Sequence, residues 1–151
     1  MHDDGRADMP MTPKPVVKTG MKLIKIALVY LVAGLSLGIV MGVSHDFRLS
    51  SAHAHILLLG WVTMVISGVV YVILPSCEDN WLAKFHYWSL NVGLPAMILG
   101  LVLLTFGKEI GEKIVAPGSA FVLLASVAFA LNVFLNSGPR RRDDMQQSTF
   151  S

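Results

Sequence analysis

The chain has 151 residues, of which 54% are hydrophobic and only 15% are charged, with a formal net charge of +2. A soluble domain carries charge on roughly a quarter of its residues. The low charge, and its confinement between long apolar runs, excludes an ordinary soluble globular fold. It also gives no basis for a nucleic-acid partner.

In chain order, residues 1–20 hold Gly5, Pro10, Pro13, Pro15 and several charges, and they read as a flexible tail. Charge-free stretches then run from Ile26 to Ser44, Leu49 to Cys77, Phe85 to Gly107 and Ile114 to Gly138. Each is long enough for the ~20 apolar residues that cross a bilayer's hydrocarbon. They predict helices over about 22–44, 50–75, 82–106 and 113–136, within one transmembrane domain spanning 21–137. Pro75 closes the second helix, because proline cannot continue the hydrogen-bond ladder. Pro95 falls inside the third helix and is expected to kink it. Pro117 falls near the start of the fourth, where proline is tolerated. Residues 138–151 form a second polar tail. The expected fold class is all-α, a four-transmembrane-helix bundle in contact with the lipid bilayer.

Lys14, Lys18, Lys22 and Lys25 precede the first run, Lys84 lies between the second and third, and Arg140, Arg141 and Arg142 follow the last. The other two loops carry only Arg48, and Lys108 with Lys113. Cytoplasmic segments carry the excess of Lys and Arg. Both termini are therefore expected in the cytoplasm, and the loop with His45, Asp46 and Arg48 at the outer face, in a bacterial inner membrane. The Ala52-His53-Ala54 triplet imitates a signal-peptide cleavage site. The apolar stretch before it is too long for a typical signal and the triplet abuts another span, so no cleavage is expected.

Ionisable residues in a span are costly, which makes them candidates for function. His45 ends the first helix, His53 and His55 begin the second, and His86 begins the third. The first three lie near one membrane face and His86 near the other, about 30 Å away. Residues two apart on an α-helix point about 200° from each other. His53 and His55 therefore cannot share one metal and would address two sites on opposite sides of the helix. The face of His53 continues through Leu57, Gly60, Met64 and Tyr71, with small residues that admit a flat ligand or a close helix. The face of His55 continues through Leu59, Val62, Ile66 and Ile73, which suits lipid or an apolar wall. Apolar walls with an axial nitrogen fit heme. Two other readings stand beside it. The pair is hydrated and idle at the interface, or His45, His53 and His55 fold together around copper or zinc. Cys77, the one cysteine, excludes an intrachain disulfide, a thiolate cluster and the C-x-x-C-H attachment of a c-type heme, so any heme is non-covalent.

His86, beside Lys84 and Trp88, reads as an interfacial residue, although it shares a stripe with Gly93 and Met97. Trp81, Tyr87 and Trp88 read as an interfacial aromatic belt. Asn91 and Asn132 are expected to hydrogen-bond between helices.

The segment from Arg48 to Pro75, RLSSAHAHILLLGWVTMVISGVVYVILP, resembles the second transmembrane helix of the catalytic subunits of heme–copper oxidases and nitric oxide reductases. The residues that carry the likeness are Arg48, His53, Gly68, Tyr71 and Pro75, followed loosely by the KFHYW at 84–88. It covers about forty residues. The family's subunits have about twelve helices and further histidines for a second heme and a copper or iron. This chain lacks both, so alone it is not expected to build the binuclear site of an oxidase or reductase. In the family, twelve helices form three four-helix arcs, and one ligand-bearing helix carries a His-x-His pair whose members serve different hemes.

That likeness implies a homotrimer of this chain, with heme b between neighbours, held by His53 of one protomer and His55 of the next. Gly60 and Met64 would line the cofactor site, and Arg48 would pair with heme propionates. Two ligands facing opposite ways also describe a heterologous interface, the kind that closes into rings. The expected function is a b-type cytochrome that transfers electrons or senses redox state. The alternatives are an enzyme with an open heme position, or a heme-free assembly protein. No sequence feature names an electron donor or acceptor, and no nucleotide or quinone motif is apparent.

Overall fold

The computed structural model describes residues 18–137; the rest of both tails expected at 1–20 and 138–151 lies outside the described residues. The chain is an all-α integral membrane protein. Its four helices, each long and apolar enough to cross a bilayer, are α1 (Lys18–Ser44), α2 (Ser50–Ile73), α3 (Trp81–Thr105) and α4 (Ile110–Asn136). Short connections make neighbours antiparallel. One end of the molecule carries the described chain ends and the α2–α3 loop. The opposite end carries the α1–α2 and α3–α4 loops.

The helix ends differ from expectation for local reasons. α1 begins at Lys18, so its first turn takes up residues assigned to the tail. Glu78 of the α2–α3 loop caps it, with Glu78 Oε1 accepting from the backbone amides of Thr19 and Gly20. A carboxylate there satisfies orphan amides and complements the helix dipole. α2 stops at Ile73 rather than Pro75. The residue before a proline is pushed out of the helical region, and Leu74 sits at φ −115°, ψ 76°. Pro75 then opens a short 3₁₀ turn, Pro75–Cys77. α4 begins at Ile110, which moves Pro117 from the tolerated first turn to the helix interior. α3 starts cleanly because Asn80 accepts from the Ala83 amide at 2.9 Å.

α2 is not uniform. Ser50–His55 and Met64–Ile73 are α-helical, but Ile56–Thr63 between them is a π-helix. Thr63 Oγ1 donates back to the Leu58 carbonyl, five residues earlier, at 2.9 Å. π-segments are rare and concentrate at functional sites.

Packing is tight within each hairpin and looser between them. The buried face of α4 repeats every seven residues, Gly111, Gly118, Ala125 and Asn132. α1 repeats likewise through Gly20, Ala27, Gly34 and Met41, and α3 through His86, Gly93 and Gly100. A seven-residue repeat is the signature of a left-handed seam. Small residues on it let backbones approach closely, which is how membrane helices gain packing energy without a hydrophobic drive. A Cβ on Gly118 would stand 2.5 Å from the Met97 amide nitrogen, and one on Gly100 2.6 Å from that of Val115. Between the hairpins lie bulky side chains instead, among them Met64, Tyr71, Leu90 and Leu94, all fully buried.

Candidate functional site

His53 and His55 occupy the first two turns of α2, at the two-loop end. The imidazole of His53 is turned onto α1. Its Nδ1–H donates to the Gly34 carbonyl at 3.1 Å. Its ring edge lies on Gly38, where a Cβ would come within 2.9 Å of Cε1. His55 turns back along its own helix, with Nδ1–H donating to the Ser51 carbonyl at 2.7 Å. A carbonyl can only accept, so both rings donate through Nδ1, and among the described residues neither Nε2 has a hydrogen-bond partner. Ligating histidines are held this way, with the second nitrogen tied to a backbone carbonyl that fixes tautomer and orientation. Both rings are half-buried.

The two faces of α2 separate. On the side of His53, Leu57 packs on Gly34, and the Tyr30 ring covers Gly60. Met64, Ser67, Gly68 and Tyr71 are buried. The small residues of this face thus receive a neighbouring helix over most of its length. On the side of His55, Val62, Ile66 and Ile73 are exposed. One protomer does not bring the two imidazoles to a common point, nor does it gather His45 with them. Among the described residues no three His, Cys, Asp or Glu side chains converge on a metal position. His45 ends α1 in a left-handed turn, φ 54°, and is exposed.

Arg48 lies on the surface of the same end. Its Nε and Nη2 donate to the Asp46 carboxylate at 2.9 and 2.5 Å, and its guanidinium carbon stands 5.6 Å from the centre of the Phe106 ring. The guanidinium holds the Asp46 carboxyl down at about 2, chiefly through these side-chain hydrogen bonds. The carboxylate in turn raises the Arg48 pKa. This pairing leaves Nη1 for a second anion.

Two imidazoles tied through Nδ1, apolar surroundings and a cation at the membrane surface form a donor set that would suit heme. Gly34, Gly38 and Gly42 form a glycine stripe on α1, and Gly42 opens onto free space. The two imidazoles lie on different sides of α2, so holding one ligand between both would take a second copy of the chain.

The sequence reading missed a second polar centre. His86 is not interfacial; it is 1% exposed. Its Nδ1 shares a 2.9 Å hydrogen bond with the hydroxyl of Tyr71, and the Phe129 ring lies 5.1 Å from its own. The signal was the seven-residue stripe His86–Gly93–Gly100, which places His86 on the seam. Asn132 does bond across elements, giving Nδ2–H to the Cys77 carbonyl at 2.7 Å and accepting from Asn80 at 2.8 Å. Asn91 instead bonds within its own helix, to the Tyr87 carbonyl. Trp81 and Trp88 are exposed, as an aromatic belt requires. The chain matches no protein-family model, no curated protein sequence and no solved structure.

Proposed function

We propose that this chain is a membrane b-type cytochrome-like protein that holds heme between protomers of a ring, a trimer in the simplest case, through His53 of one and His55 of the next. The single observation that carries the reading is the shared state of the two imidazoles. Each is fixed by an Nδ1–H bond to a carbonyl, His53 against α1 and His55 along α2, on different sides of the helix at nearly one membrane depth. Opposed half-sites are satisfied by a heterologous contact, which closes into a ring. The likeness of Arg48–Pro75 to a helix of heme–copper oxidases supports the same cofactor.

When bound, heme supplies a one-electron couple. The chain's own residues hold and tune it. The Gly34 and Ser51 carbonyls fix the orientation of the two imidazoles. Arg48, through Nη1, neutralises carboxylate groups at the outer surface, with Asp46 fixing its position. Gly38 and Gly42 keep α1 flat beside His53. Both chain ends lie in the cytoplasm by the distribution of lysines and arginines, which places the histidine pair on the outer side of an inner membrane.

The test is purification of the full chain in mild detergent, with heme per chain, the absorption spectrum and the mass of the assembly measured together. One heme per protomer with a six-coordinate spectrum, lost in both His53→Ala and His55→Ala, supports the reading. A heme-free protein of unchanged oligomeric state overturns it. Carbon monoxide binding to the reduced form would instead indicate an open iron position and an enzyme. A heme-free assembly protein is the second reading. One observation favours it: among the described residues every buried polar side-chain atom already has a hydrogen-bond partner.

A further inference from the structure

At the end that carries the α2–α3 loop, α1 and α3 part to form a cleft of about 250 Å³, lined by Thr19, Lys22, Lys84, Tyr87 and Trp88. Both lysines are exposed. Among the described residues the one ion pair is Arg48–Asp46, at the far end of the molecule. Glu78, in the adjoining loop, has its carboxylate turned onto the first amides of α1. The cleft is therefore a cationic pocket with two amphipathic rings at its rim. Tyr and Trp sit at the level of lipid headgroups, and basic pockets between transmembrane helices bind anionic headgroups.

A second concavity lies further along α1. An apolar groove of about 500 Å³ lies on α1 against Leu28, Val29, Val32 and Ala33. Val29 and Ala33 are seven and eleven residues beyond Lys22, so all three share one face of the helix. At 1.5 Å per residue, Val29 lies about 10 Å and Ala33 about 16 Å deeper than Lys22. That depth puts the groove below the headgroup layer, at the level of the acyl chains. The two features have complementary chemistry in the order a phospholipid requires.

We infer that this face binds one anionic phospholipid, with its phosphate between Lys22 and Lys84, its glycerol level with Tyr87 and Trp88, and one acyl chain along Val29–Ala33. The experiment is native mass spectrometry of the full chain in detergent, titrated with phosphatidylglycerol or phosphatidylcholine of matched chains. The anionic lipid is expected to bind more tightly. The double variant Lys22→Gln/Lys84→Gln is expected to lose that preference, about fivefold per lysine removed and ~25-fold together. Ala33→Trp, which fills the groove, is expected to weaken both lipids while sparing the preference. Equal binding of the two lipids, a preference that survives the double variant, or a groove variant without effect overturns the assignment. Displacement of the lipid by an equal concentration of inorganic phosphate would make this a free-phosphate site and overturns it too. Melting temperatures of the variants in lipid-free detergent confirm that each is folded.

Discussion

Single side chains in this protein carry unequal weight. His53 and His55 look alike in sequence, yet one is spent on contact with another helix and the other on its own. His86, the histidine with the blander sequence context, is the most enclosed. Its partner Tyr71 is fully buried, and each leaves the other unsatisfied if removed. Tyr71→Phe keeps the ring and its edge contact with Phe129 but strips the hydroxyl from His86 Nδ1. The expected cost is about 1–2 kcal/mol, since polar contacts between membrane helices are modest but an orphaned buried nitrogen adds to the loss. Thermal unfolding in detergent checks it; an unchanged midpoint would show that the bond contributes nothing. The pairing was not legible beforehand. The two residues are fifteen apart, and only the hairpin geometry of the α2–α3 loop brings them together.

At the scale of elements, α3 and α4 depend on backbone proximity. Gly118→Leu puts a side chain onto the Met97 backbone, which cannot yield as a flexible side chain would. Overpacking of this kind costs about 1–3 kcal/mol or more, and the variant is expected to unfold at lower temperature than Ser119→Leu, an exposed control beside it. Equal midpoints would argue against a glycine seam. Much at this scale was readable from the sequence. The four runs of apolar residues placed the helices within a few residues, and proline chemistry ends α2 just ahead of Pro75, at Ile73. The errors are local. Helix α1 starts early because a carboxylate from 59 residues away caps it, and no local pattern announces that. The π-segment is invisible to periodicity, because a one-residue change of register leaves an apolar run apolar. For the candidate site, the sequence identified both histidines and their divergence. It did not show that Gly60 is covered by Tyr30 or that Met64 is fully enclosed, as both depend on where α1 packs.

Across the whole molecule the two hairpins are joined unevenly. Near the α2–α3 loop they share the Tyr71–His86 bond, the Asn80–Asn132–Cys77 network, Ser76 bonded to the Asn136 carbonyl, and Glu78 on α1. At the histidine end, among the described residues, Ser50–His55 packs on α3, but the polar and ring links between the hairpins are the approach of Arg48 to Phe106 and a long contact from Thr105 Oγ1 to the Arg48 carbonyl. Regions with few buried contacts open first. Amide hydrogen exchange is expected to be faster at Ser50–His55 than at Leu82–Leu90, and Asn132→Leu is expected to erase most of the difference by loosening the joined end. Uniform protection along both segments would contradict this. The loop that ties both hairpins thus makes the protein a pair of tongs. Its pivot is the polar knot around Asn132, and one jaw, the α1–α2 hairpin, carries both His53 and His55. A turn of that hairpin about the pivot therefore carries the two imidazoles as a pair and leaves their bonds to Gly34 and Ser51 unchanged.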